Sequence, residues 1–207
     1  MVRRLLRRIH NKLLDCAHRE IVLNIMAKKK SPTWTSVKPI LSGKKNAELL
    51  KLIADLYALN EENKRFVTTR YSVGSNSIGS YKEIIYESLY PNICGNKPIK
   101  LATGKKAISD YFKATKDKNG QLELMVYYLE TGNQFTLDYG DINESFYSSL
   151  ESMLDKILSA LRKQSSEIND QYLPRLRELV RSARGMGWGY YDHINCELEN
   201  YEEERIT

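Results

Sequence analysis

Five side chains are of a type and spacing that could do chemistry: Glu130, Asp138, Asp141, Asp192 and His193. They flank two stretches that break the helical pattern, Phe135 to Gly140 and Gly185 to Gly189. If those stretches meet, carboxylates and an imidazole gather near Tyr139, Trp188 and Tyr191. Such a group binds a divalent metal or supplies an acid–base pair. Asp141 ranks last among them, because with Glu144 it forms a D-x-x-E capping box that accounts for it without chemistry. The catalytic candidates are therefore Glu130, Asp138, Asp192 and His193, while Asp141, Glu144, Gly187 and Trp188 are read as structural. No metal ligand set is assigned and no cofactor is expected.

Other motifs fail on their context. Gly185-Met186-Gly187-Trp188-Gly189 has the look of a phosphate loop, but a helix precedes it where a dinucleotide fingerprint needs a strand. It reads instead as a glycine-rich bend in which Trp188 packs and two backbones approach closely. Gly43-Lys44 and Gly104-Lys105 lack both the earlier glycine and the following Ser or Thr of a Walker loop. No G-x-S-x-G elbow is present, and Cys196 one turn after His193 is read as packing.

The elements that must position these residues are helices. Leu122, Leu124, Met125, Val126, Tyr127, Tyr128 and Leu129 leave no polar side, which predicts a buried helix over Gln121 to Thr131 ending at Gly132. The capping box opens a long helix to Lys163 with Phe146, Leu150, Met153, Leu154, Ile157, Leu158 and Leu161 on one stripe. Earlier, a short helix runs to Leu41. Ala47 to Leu59 follows with Leu49, Leu50, Ile53, Leu56 and Tyr57 as its buried face. Glu61 to Tyr71 places Phe66 and Val67 inward, and Ser72 to Ser80 is a loop. Tyr81 to Leu89 and a Thr103-capped helix to Ala114 come next, then a turn over Asp117 to Gly120. After a turn at Ser165, Ser166 and Asn169, Leu173 to Arg184 carries Pro174 near its start, and Tyr190 to Glu203 is the last helix. No strand alternation is present. The expected fold is all-α, built of packed antiparallel helical hairpins, with a short HEAT-like helical array as one way to arrange them.

Charge is distributed unevenly over the 207 residues. Residues 1–30 hold nine basic and two acidic side chains, 9 − 2 = +7, so the remainder of a chain of net charge +6 carries 6 − 7 = −1. The domain division expected is a basic appendage over 1–30 and a helical globular domain over 31–207. Met1 to Met26 reads as an amphipathic helix that docks on the body, lies on an anionic membrane, or contacts nucleic acid through Arg3, Arg4, Arg7, Arg8 and Lys12. Met26 also reads as an alternative start. Cys16, Cys94 and Cys196 are odd in number and far apart, with no CxxC pair, which argues against a disulfide framework and for a cytoplasmic location. No apolar run is long enough to span a bilayer.

One resemblance rests on several short pieces: Trp34…Val37-Lys38, Glu48-Leu49-Leu50…Asp55-Leu56-Tyr57, Ala107-Ile108-Ser109, Glu123-Leu124-Met125…Tyr128, Glu130-Thr131-Gly132…Tyr139-Gly140-Asp141-Ile142-Asn143-Glu144 and Gly187-Trp188-Gly189. Over residues 33–195 the chain resembles a group of small uncharacterised bacterial proteins classed as a domain of unknown function. The resemblance implies a bacterial cytosolic helical domain and no activity. The function expected is a non-enzymatic protein-interaction or regulatory protein with a protein partner. A nucleic-acid-associated protein binding through residues 1–30 and a metal-dependent enzyme with an acidic loop site are the alternatives.

Overall fold

The computed structural model describes residues 32–72, 77–92, 95 and 97–206. Met1 to Met26, with Arg3, Arg4, Arg7, Arg8 and Lys12, lies outside the described residues, as do Cys16 and Cys94. The described residues form nine helices and no strand: α1 (Trp34–Ser42), α2 (Asn46–Leu59), α3 (Glu61–Arg70), α4 (Ser77–Leu89), α5 (Leu101–Thr115), α6 (Lys118–Tyr139), α7 (Glu144–Leu161), α8 (Ser166–Ser182) and α9 (Tyr190–Ile206). The fold is all-α. None of the described helices is long and apolar enough to cross a membrane. The chain divides into two compact units between Leu56 and Tyr57, inside α2.

Among the described residues of the first unit there is no core. Neither α1 nor α2 has a buried residue. The expected buried face of α2 is open: Leu50 is 67% exposed and Ile53 49%. Helical periodicity decides which side chains share a stripe, not whether anything covers it.

The second unit is organised on α6, which packs against α4, α5, α7 and α8. Leu122, Leu124, Val126, Tyr128 and Leu129 are wholly buried. All seven apolar residues expected on the α7 stripe are buried too. Helix α9 lies on α7 and α8 through Tyr190, Ile194, Leu198 and Tyr201, and α3 lies on α5.

Several boundaries differ from the sequence reading, each for a local reason. Helix α6 does not stop at Gly132. It runs to Tyr139, so Phe135 to Tyr139 is helical, and the break falls at Gly140, with φ +86°. Gly132 is there for proximity: a Cβ on it would stand 2.5 Å from Leu150 Cδ2 of α7. Asp117 caps α6 by accepting from the Asn119 N–H, so the helix begins before Gln121. Asn143, not Asp141, caps α7, its Oδ1 accepting from the Phe146 N–H at 3.0 Å. Helix α4 begins at Ser77, inside the expected loop, and α5 at Leu101, ahead of Thr103. Helix α8 begins at Ser166, so the expected turn there is helical and Pro174 sits in the helix interior. In α3 the inward residue is Thr69, while Phe66 is open with the Arg70 guanidinium 4.8 Å over its ring.

Gly104 marks a close approach of α5 to its neighbours. A Cβ there would lie 2.7 Å from Ser88 Oγ, 2.8 Å from Leu89 Cδ1 and 2.8 Å from Tyr128 Cε2. Leu89 and Tyr128 are fully buried and have nowhere to go. Alanine would gain about 1 kcal/mol in helix propensity and lose about 1–3 kcal/mol to overpacking. Gly104→Ala is therefore expected to lower unfolding free energy by about 1 kcal/mol in urea titration, and a stabilised variant would contradict this packing.

Candidate functional site

The two breaks in the helical pattern do meet, through a residue that sequence reasoning ranked last. The Asp141 carboxylate accepts from the Tyr147 hydroxyl at 2.5 Å and from the Gly187 N–H at 3.1 Å. These bonds, the tyrosine's first and the amide's second, hold its pKa below the usual carboxylate range. Burial and then Asp141 push Tyr147 up to about 12. A Cβ on Gly187 would stand 2.7 Å from Asp141 Oδ2, so only glycine admits this contact without displacement. The bend itself turns on Gly185, Trp188 and Gly189, all with positive φ. Trp188 does not pack in it as expected, being 59% exposed, and Met186 packs against the core instead.

Of the four catalytic candidates, Glu130 and Asp138 take separate partners. Glu130 is held bidentately by Arg175, at 2.8 Å from Nε and 2.7 Å from Nη2. Asp138, at the exposed end of α6, accepts from the Tyr90 hydroxyl at 2.6 Å and from Gln134 at 3.0 Å. His193 Nε2 is 3.7 Å from Asp155 Oδ1 of α7, beyond hydrogen-bonding reach. Asp192 is exposed in the first turn of α9. Among the described residues no group of three or more His, Cys, Asp or Glu side chains could share a metal ion. Glu144 lies in the first turn of α7, where its charge suits the helix dipole.

Sequence reasoning missed Arg175. It spans α8 to α6, its Nη1 also reaching Glu123 at 2.6 Å, while Lys82 of α4 meets the other oxygen of Glu123 at 2.6 Å. The available signal was Glu123 and Glu130, seven residues apart on the one stripe of α6 that is not fully buried. A guanidinium suits this place because its planar fork serves two carboxylates at once.

The other feature of functional character is the apolar surface of the first unit. Trp34, Val37, Ile40, Leu50, Leu52, Ile53 and Leu56 are all exposed. Roughly half-open, these seven together leave on the order of 600–800 Å² of apolar area in water, spread over two helices.

Arg175 governs a pH response. Burial pulls the Glu123 carboxyl up, but hydrogen bonds from Arg175 and Lys82 outweigh it, and its pKa is lowered overall. A carboxylate whose folded pKa is depressed adds stability that is complete above its unfolded value, about 4.3. That stability fades as pH falls below this value and through the folded pKa. Arg175→Gln is expected to cost about 1–3 kcal/mol at neutral pH and to flatten stability between pH 4.5 and the lowered folded value, read by urea titration across that range. An unchanged acid limb would show that Arg175 does not hold Glu123.

Comparison with family models, with curated proteins and with solved structures found no match.

Proposed function

We propose that the protein is a non-enzymatic interaction protein whose α1 and α2 receive an amphipathic helix of another protein, apolar on one side and acidic along its rim. One observation carries this reading: seven large apolar side chains stand open on two helices that bury nothing among the described residues. Covering about 600–800 Å² is worth roughly 15–20 kcal/mol gross at 25 cal/mol per Å², against about 4–15 kcal/mol for association. The apolar face therefore supplies the affinity, and the charges around it select the occupant.

Those charges are Lys38, Lys44, Lys45 and Lys51 against Glu48 and Asp55, 4 − 2 = +2. Glu48 is already engaged by Lys44 at 3.0 Å. A second copy would bring the same cationic rim, and residues 1–30 would bring +7, so both occupants meet like charge. An acidic-rimmed helix meets opposite charge, which favours its encounter and register.

A catalytic reading has less support, because Glu130 and Asp138 are engaged by Arg175 and Tyr90, and no three His, Cys, Asp or Glu side chains among the described residues could share a metal ion. Association with nucleic acid rests on the charge of residues 1–30 alone. The resemblance of residues 33–195 to uncharacterised bacterial helical proteins belongs with this proposal, and a cytoplasmic location accords with the cysteine pattern.

The test uses two synthetic amphipathic helices with the same leucine stripe, one rimmed by glutamate and one by lysine. Trp188→Phe leaves Trp34 as the sole tryptophan reporter, since the chain has two. The glutamate-rimmed helix is expected to shift Trp34 emission to the blue. Leu50→Glu or Ile53→Glu should weaken binding at least about tenfold with an unchanged circular dichroism spectrum. Equal binding of the two helices, binding of neither, or self-association abolished by the same substitutions would overturn the proposal. So would a face open to the peptide only after residues 1–30 are removed.

A further inference from the structure

A groove of about 550 Å³ opens on the second unit where the α5–α6 junction faces α7. That is the size of a small-molecule site. Its cations come from three places: Lys118 opens α6, Lys156 lies within α7, and Lys163 follows the end of α7. Ser152 and Ser159 of α7 and Gln121 of α6 add hydroxyl and amide donors between them. Phe112 and Met125 supply apolar wall.

The charges in this groove are not balanced by the described residues. Lys82, Lys106 and Lys113 elsewhere on the unit each hold a carboxylate at 3.0 Å or less. Lys118, Lys156 and Lys163 make no ion pair with any described residue. Asp155 is the one carboxylate in the lining, so the groove carries 3 − 1 = +2, and Asp155 Oδ1 already faces His193 at 3.7 Å. Lys105 of α5, outside the lining, is near enough to Lys156 to feel its charge. Burial first, and that like charge second, hold the Lys105 ammonium below its usual pKa. A bound anion would offset the net positive charge of this lining.

We propose that this groove binds a small anion made of linked phosphates. Several lysines call for several negative charges, and ammonium groups suit phosphate as point charges with freely turning donors. A bounded groove with one aromatic in its lining does not offer the interleaved aromatic and basic platform that a single nucleic-acid strand stacks on. The shared chemistry is the linked phosphate chain, whether free or carried by a nucleoside.

The test is calorimetric titration of the full chain with inorganic tripolyphosphate at low salt. One-to-one binding is expected, at least about tenfold tighter than for inorganic phosphate, weakening as salt rises. Lys118→Gln, Lys156→Gln and Lys163→Gln should each weaken it about fivefold, and the triple variant should abolish it with an unchanged melting curve. Lys51→Gln, in the other unit, should change nothing. A nucleoside triphosphate that binds no tighter than tripolyphosphate assigns the groove to free polyphosphate, and a tighter one assigns it to a nucleotide; both support the proposal. Retained affinity in the triple variant would place the anion elsewhere, residues 1–30 included, and overturn it. A single-stranded oligonucleotide that displaces tripolyphosphate from the wild-type chain but not from the triple variant would overturn it in favour of nucleic acid.

Discussion

Helix α6 has almost no side to give to water, and enclosing it is the constraint on which the second unit rests. From Leu122 to Leu129 its apolar residues point in every direction but one, and α4, α5, α7 and α8 take up those directions. The remaining direction is the stripe of Glu123, Tyr127 and Glu130. Arg175 closes it by holding both carboxylates, and Lys82 lies 4.9 Å over the Tyr127 ring while bonding Glu123. A hydrophobic rod enclosed on its apolar sides is thus finished by an ionic clasp on its polar one. The clasp adds direction: it fixes α8 and α4 in register on α6, which non-directional burial does not do.

Close approach is the second requirement. Packing four helices around one leaves little room at the crossings, and Gly104 and Gly132 sit where the nearest side chains of neighbouring helices leave no space for a Cβ. Gly187 meets the same demand where the bend before α9 touches Asp141. Through that contact, and the bond from Tyr147 on α7, one carboxylate ties the α6–α7 break to the α8–α9 bend. The two irregular stretches are joined for structure. Of the side chains that sequence reasoning grouped for chemistry, Glu130 is occupied by Arg175, Asp138 by Tyr90 and Gln134, and Asp141 by Tyr147 and Gly187.

The two units differ in what they leave open. The second has a buried apolar core and a groove lined by three lysines that make no ion pair with any described residue. The first leaves apolar residues open on α1 and α2 and has a modest positive rim. In water the first kind of exposure is relieved by an apolar partner and the second by an anion, so the two surfaces call for different ligands.

Much of the fold was legible because helical periodicity is a local property of the chain. The stripe from Phe146 to Leu161 and the absence of strands among the described residues follow from spacing alone and hold in the structure, as does the apolar run from Leu122 to Leu129 except for half-buried Tyr127. What spacing does not carry is which surface meets which. The stripe of α2 has the same pattern as a buried one and is open; Gly132 has the type of a terminator and lies mid-helix against Leu150; Asp141 has the type of a cap and serves as a tie to Gly187. Arg175 and the lysines of the groove had no local signal, because their meaning lies in partners 45 and 52 residues away for Arg175, or in the lack of an ion-pair partner among the described residues for Lys118, Lys156 and Lys163. Backbone geometry and side-chain period act over one or two turns, so the sequence by itself determined the helices and their apolar faces. Coverage, close approach and charge balance act between distant segments, and those the tertiary structure alone decided.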